Sequence, residues 1–575
     1  MNRCKFIEKF NKLRKSSSNS IDNIQIFDGF RKYMHVIRAT EMDLKKILSA
    51  VNLSGKKTLV LLCGSAGDGK SHLLSYLKNS DTDHLLDGYS VFNDATESNA
   101  PDKTAVETLC KRLEDFNDDN IGKPGSNAII AINLGVLSNF IESEWALNFS
   151  FLRKYVKSSN IMTSEVTNTT YVDNSNFQHI SFSDYHMFSM DKGKITPDYI
   201  EALFEKIASN DEKNEFYAAY TDDCSVCPLG SQCPIRMNYK FLTDAKVRHY
   251  IALMLVKVIL KDKEILTTRE LLNYIYDIVV APGFDYAKFY KSSATPSLFL
   301  KEFLNCIMPS LLFDNVDISA IMNKTRKYDP LLNRNEAEDD IAIEYYVSDD
   351  VTKTVKSIVD ESAYSSILCD PSYADIINED KTVKSKLFNV LIRIRDLMND
   401  NGYEEMFLKY ISDLYNYNIG KTPKLASLYS DIEDAVMRWC GNEDDDNICI
   451  DDSHKNFAIY EDIKFDPFLD NIPSPSSSEK IEKFLPYVVA EFKNGNDAPI
   501  HIDIDYSLYE LIEKLKAGYV QTAEDRNNHA DFISFISKIL KTGSSNESIT
   551  ILSETGQKAK LEKTKFGTYK FEVVK

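Results

Sequence analysis

The chain has 575 residues, 43% of them hydrophobic, with 31 Phe and 31 Tyr, and a formal net charge of −19. That length exceeds a single hydrophobic core and sets an expectation of two to four domains, while the apolar content excludes a disordered chain. The acidic excess argues against general gripping of a nucleic-acid backbone and makes protein partners the expectation.

In chain order, residues 1–57 read as a helical N-terminal segment broken at Ser16-Ser17-Ser18. They carry no apolar core of a secretory leader. Four apolar runs of strand character follow, at Thr58–Cys63, Tyr89–Phe92, Ala128–Ile132 and His179–Phe182. Helix candidates Ser71–Lys78, Ala105–Phe116 and Pro197–Ser209 separate or follow them. Short continuous apolar runs alternating with helices suit a parallel sheet buried on both faces. After residue 236 the pattern turns helical. Asp244–Leu260 has helical spacing, and Thr267-Thr268-Arg269-Glu270 reads as the capped start of a helix ending before Pro282-Gly283. Further helices are expected over 296–312, 350–368, 381–416 and 424–440. The acidic stretches Glu336–Asp340 and Glu443–Asp446 read as solvated loops. Ile472-Pro473-Ser474-Pro475-Ser476-Ser477-Ser478 reads as a linker. Beyond it, alternation at His501–Tyr506, helices near 507–517 and 529–540, and terminal strands form a small unit. The longest apolar stretch, Ile251–Leu260, falls short of the ~20 residues a membrane span needs. The expectation is therefore a cytoplasmic protein with reduced cysteines and no membrane association.

The fold class expected is an α/β P-loop NTPase with an AAA+-like parallel sheet, followed by a mainly helical region and a small α+β C-terminal unit. The divisions are 1–57, 58–290 with a cysteine-rich insertion near 224–233, 291–470, and 471–575.

Gly64-Ser65-Ala66-Gly67-Asp68-Gly69-Lys70-Ser71 fits G-x-x-x-x-G-K-[ST] at every fixed position and sits between a strand and a helix. Glycines let the backbone wrap a phosphate, and amides at the helix N-terminus point at the anion. Lys70 would neutralise β- and γ-phosphate charge, the Ser71 hydroxyl would hold Mg²⁺, and His72 completes the nucleotide-binding run. ATP and Mg²⁺ are the expected cofactors.

An acidic residue normally ends a neighbouring strand to hold Mg²⁺ through water. Here the third strand ends in Asn133, which can accept a hydrogen bond but carries no charge. Asp94 and Asp184 are the acidic alternatives, the latter as a γ-phosphate sensor. For all three the competing reading is a strand-end group capping a helix or turn. Arg269 and Arg334 are candidates for stabilising γ-phosphate charge, with Arg334 in the better context. Hydrolysis is expected to be slow, partner-dependent, or complete only in a homo-oligomer. No nuclease motif is present.

Cys224, Cys227 and Cys233 follow C-x2-C-x5-C spacing. Soft thiolates so close suit structural Zn²⁺, the preferred reading, or an iron–sulfur cluster with one ligand from elsewhere. His179, His186, His249 and Cys110 are open candidates for a fourth ligand, and three ordinary small buried residues are the alternative to any metal.

The extended loop Leu61–Ser75 resembles that of the DptF (DndF) family of DNA phosphorothioation-dependent restriction proteins. So do Phe92–Ser98, Ala131–Gly135, Phe182–His186, the run Cys233-Pro234-Ile235-Arg236-Met237-Asn238, and Asp505–Tyr509. The resemblance implies a bacterial defence role against DNA lacking the sulfur mark. It implies an ATPase component acting with DptG- and DptH-like subunits, with DNA reached through the complex. Two other classes compete. One is an AAA+ or STAND-like ATPase of another defence system, using ATP as an oligomerisation switch. The other is a DNA-loading ATPase of the replication-initiator kind, which should carry a basic module that this acidic chain lacks.

Overall fold

The computed structural model describes residues 4–574 apart from 15–28, 81, 94–104, 163–165, 167–169, 333–335, 349–350, 400–403, 442–446, 452, 455, 496 and 565. The chain divides into two compact units, residues 1–189 with 197–402, and 190–196 with 403–575.

In the first unit β1 (Leu59–Cys63), β2 (Ser90–Phe92), β3 (Ala128–Ile132) and β4 (Phe177–Ser181) form a parallel sheet in the order β2–β3–β1–β4. Strict alternation splits its side chains. Leu59, Leu61, Ile130 and Ile132 pack with Leu109, Leu137 and Phe140 on one face. Val60, Leu62, Ile129 and Ala131 pack with Leu44, Leu48, Leu73 and Leu74 on the other. A strand buried on both faces has no polar side to show, which is why these segments read as continuous apolar runs. β4 starts two residues earlier than its apolar run suggests, because Phe177 pairs with Leu59, and Phe182–Asp184 leaves the sheet as a 3-10 turn.

Two helices of the first unit start where their sequence signals place them, while the expected stretches 296–312, 350–368 and 381–416 are each divided, into Pro296–Cys306 and Met308–Asp314, Val351–Val359 and Ser365–Leu368, and Lys381–Leu397 and Glu405–Asn418. Asp244 caps Ala245–Lys261, and Thr267 with Glu270 makes a complete capping box for Thr268–Val279. Among the described residues no helix is long and apolar enough to cross a membrane. The acidic run 336–340 is not a loop. It opens the helix Glu336–Val347, where carboxylates in the first turn meet the positive end of the helix dipole. The second acidic stretch, 443–446, and the serine break at 16–18 lie outside the described residues. Arg393, 3% exposed, joins the helical elements. It donates to Asp329 at 3.1 and 2.6 Å and to Asp314 at 3.2 and 2.9 Å.

Two antiparallel sheets of the described residues belong to the second unit. One orders Ile500–Ile504, Val488–Lys493 and Asp466–Phe468. The other runs Tyr569–Val574, Lys558–Lys563, Ser544–Ser553, Phe457–Ile463, Asn447–Asp451. Helices Glu405–Asn418, Ala426–Cys440, Tyr506–Lys516 and Ala530–Gly543 complete it. The unit thus contains both sides of the stretch 472–478, which is a strap and not a hinge between domains. The Ser476 amide donates to the Ile419 carbonyl at 3.0 Å. Gly420, at φ +71°, lies so close beneath that a Cβ would meet the Pro473 oxygen at 2.2 Å. Gly420→Ala is expected to cost about 1–3 kcal/mol, from the left-handed backbone and the backbone clash together. Urea unfolding followed by tyrosine fluorescence reads it, and an unmoved midpoint would reject the strap.

Candidate functional site

The C-terminal ends of β1, β2 and β3 open onto one cavity of about 400 Å³. Residues 66–71 of the loop line it. The Gly64 amide donates to the Ile132 carbonyl at 3.2 Å, tying the loop to β3. Gly67 (φ +92°) and Gly69 (φ +95°) adopt a backbone that other residues rarely tolerate. A Cβ on Gly67 would also come within 3.1 Å of Thr267 Oγ1 and 3.2 Å of Thr267 Cβ. The helix Lys70–Asn79 then begins. Its first residue, Lys70, is buried and donates to the Ser65 carbonyl. Lys70 Nζ lies 4.0 Å from Asp68 Oδ2, which accepts the Ser65 amide. The Asp68 carboxylate is thus held where loop amide and lysine converge, the same donors an anion would recruit. Burial pushes the Asp68 carboxyl above its ordinary value, against the pull of Lys70 and Arg38.

Ser71 Oγ lies 3.4 Å from the Asn93 carbonyl at the end of β2. The Asn93 side chain is buried, and among the described residues its Oδ1 has no hydrogen-bond partner. That orphaned acceptor, on a residue whose main-chain carbonyl meets the Ser71 hydroxyl, fits a hydrated divalent cation, whose water ligands need acceptors. Ser71 would be the direct ligand, and Asn93 would receive a metal-bound water.

Asn133 and Arg269 also line the cavity. The Asn133 side chain caps the helix Leu134–Glu142, its Oδ1 accepting the Gly135 amide at 2.8 Å. The capping alternative is realised. Asp184 is buried in the turn after β4, but the cavity wall there is Phe182. Arg269 belongs to the helix Thr268–Val279, whose N-terminus abuts the loop at Gly67. Asp94 and Arg334 lie outside the described residues.

Four residues of the N-terminal segment were not singled out by motif. Arg38 reaches the Asp68 carbonyl (3.4 Å) and the Tyr185 carbonyl (3.2 Å) and lies over the Tyr199 ring. His35 stacks on Tyr76 at 3.6 Å, contacts His72 at 3.1 Å and sits 2.9 Å from Glu41. Burial, then the charges of His35 and Arg31, lower the His72 pKa to about 4. Phe30 and Met34 add apolar surface to the same end. Aromatic and apolar lining beside a cationic loop is suited to a ligand that joins a base to phosphates. No periodic or motif signal marks these residues. Only a three-dimensional return of the segment to the loop could have found them.

The cysteines of the 224–233 loop lie apart from this cavity. Of the candidate fourth ligands, His179 bonds to the Tyr155 hydroxyl at 2.8 Å within the sheet, and His249 pairs with Glu201 at 2.5 Å. Cys110 packs on the sheet core, and His186 lies on the strand Tyr185–Asp191.

Compared with known proteins, the chain matches no family model, no curated protein and no solved structure.

Proposed function

We propose that the chain is a P-loop NTPase that binds ATP with Mg²⁺ and hydrolyses it as a component of a phosphorothioation-dependent DNA restriction complex. The observation that carries the nucleotide reading is the convergence of Lys70, Ser71, Asn93 and Arg269 on one cavity at the ends of parallel strands. Lys70 and the loop amides hold the β- and γ-phosphates, and Arg269 meets the γ-phosphate from the adjoining helix. Mg²⁺, when bound, would supply charge neutralisation, and Ser71 and Asn93 are the residues that would hold it. The stacked ring of His35 and the apolar residues about it exclude water from the base.

The restriction role, with DptG- and DptH-like partners and DNA reached through the complex, rests on the family resemblance. It is tested by deleting the gene in a host carrying the modification enzymes. Loss of restriction of unmodified DNA supports it, and unchanged restriction rejects it. The second reading, an ATP-dependent oligomerisation switch with little turnover, draws on Asn133. Its side chain is spent on its own helix, which leaves one fewer group to orient an attacking water. Phosphate release measured alone, with DNA and with candidate partners separates the two.

Asn93→Ala is expected to weaken ATP binding about tenfold in the presence of Mg²⁺, the worth of one hydrogen bond to a charged ligand sphere. Binding in EDTA should hardly change. Titration calorimetry under both conditions checks this, and equal losses in both would remove Asn93 from the metal sphere.

A further inference from the structure

The strand Tyr569–Val574 is the edge of the five-stranded sheet in the second unit. Among the described residues it pairs with Lys558–Lys563 alone. Its side chains alternate between the two faces. Tyr569, Phe571 and Val573 share one face and are 52%, 59% and 63% exposed. Lys570 and Glu572 share the other and form an ion pair. An open edge invites addition of another strand, and natural edges are commonly blunted by proline, a bulge or inward-pointing charge. This strand contains no proline, and its described pairing runs without a bulge.

The turn ahead of the strand fixes which main-chain groups face outward. The Thr564 amide donates to the Thr568 carbonyl at 2.7 Å, which makes 564 and 568 a hydrogen-bonded pair. Such pairs recur at every second position of an antiparallel ladder. With Lys563 opposite Tyr569, the next bonded pairs are Glu562 with Lys570 and Lys560 with Glu572. Lys570 and Glu572 therefore direct their amides and carbonyls to the neighbouring strand. Those of Tyr569, Phe571 and Val573 face the open edge.

A second copy of the same strand fits that edge in one register. Antiparallel pairing about a two-fold axis at Phe571 sets Phe571 opposite itself and Tyr569 opposite Val573. Every outward amide then meets an outward carbonyl. The same register sets Lys570 opposite the partner's Glu572, twice by symmetry. These are non-hydrogen-bonded positions, where facing side chains come closest. The pattern repeats one already present inside the sheet, where Lys570 lies opposite Glu562 and Glu572 opposite Lys560. A slip of two residues in either direction would set Lys570 against Lys570 or Glu572 against Glu572. Charge thus selects the register in which the backbone is fully paired. On the apolar face that register lays Phe571 against its own copy, beside Leu561 of the neighbouring strand.

We propose that the strand Tyr569–Val574 is a homodimerisation edge, at which two copies of the chain pair antiparallel about Phe571 and join their five-stranded sheets into one. The interface presents the same patch from both copies, so it closes at two. It rests on the second unit and does not depend on the nucleotide reading.

Sedimentation equilibrium of the full-length chain tests it. The wild type should dimerise at or below about 100 µM. Lys570→Glu and Glu572→Lys each set like charges opposite one another twice, and each alone should weaken the dimer about tenfold. Mixed together, the two variants place opposite charges across the axis again and should recover a dimer near wild-type strength. A variant weakened only because its own sheet frays would not be rescued by mixing. Should either variant fail to fold, hydrogen exchange of the wild type decides, since deuterium uptake over 569–574 should fall as concentration rises through the dimer transition. A monomeric wild type, a dimer indifferent to Lys570→Glu, folded variants that do not recover on mixing, or uptake over this strand that ignores concentration would each overturn the proposal.

Discussion

Lys70→Ala is expected to weaken ATP binding about a hundredfold and to bring phosphate release to background. The lysine is buried at the first turn of its helix, where the dipole already disfavours a cation, and the loop carbonyl of Ser65 and the Asp68 carboxylate are what hold it. A triphosphate offers a far stronger partner. Losing charge-assisted bonds worth about 3 kcal/mol corresponds to roughly two decades in affinity. Equilibrium binding of a fluorescent ATP analogue and a phosphate-release assay check the two parts. A fourfold or smaller loss of phosphate release would sink the hydrolytic reading.

Arg393→Met should be the most damaging single change to the fold of the first unit, at about 3–5 kcal/mol near neutral pH. The guanidinium holds the carboxylates of Asp314 and Asp329 together, and its removal leaves two like charges facing each other without their shared counter-ion. The pH dependence gives a second readout. Burial tends to raise the Asp314 carboxyl, but the hydrogen bonds and charges of Arg393 and Lys386 outweigh it and hold the pKa below its ordinary value. A carboxylate lowered in the fold contributes stability above its unfolded pKa and loses it as pH falls through the folded one. In Arg393→Met that contribution is largely gone. The gap between wild type and variant should therefore be widest at neutral pH and narrow below the ordinary carboxylate range. Thermal melts across that window test it, and a constant gap would argue that Arg393 acts through packing alone.

What the sequence made legible follows from how locally each feature is encoded. β1 and β3 were readable almost to the residue because both faces of each strand are covered. The capping box at Thr267 and Glu270 was readable because N-capping is a matter of four consecutive residues. The glycines and Lys70 were readable because phosphate wrapping fixes their spacing. Asn93 was overlooked beside Asp94, since a carboxylate next door is the more conspicuous magnesium partner, yet Asn93 is the residue whose main-chain carbonyl meets Ser71 and whose buried side-chain oxygen has no hydrogen-bond partner among the described residues. Arg269 was weighed below Arg334, yet it is Arg269 whose helix begins against Gly67. The acidic run at 336 looked solvated because charge alone does not distinguish a loop from a helix's first turn. Arg38 and His35 were invisible as partners because most of their neighbours lie far along the chain, where no spacing rule reaches.

The close seat of Gly67 against Thr267 has a mechanical side. The loop carries no side chain there that could rotate away, and the residue it touches is the cap whose own hydroxyl is locked to Glu270. Only the missing Cβ leaves room between loop and helix, so a larger residue at 67 would push on the helix Thr268–Val279. A displacement of that helix would be felt at Asp277, more than two turns along, where it pairs with Arg14 of the N-terminal segment.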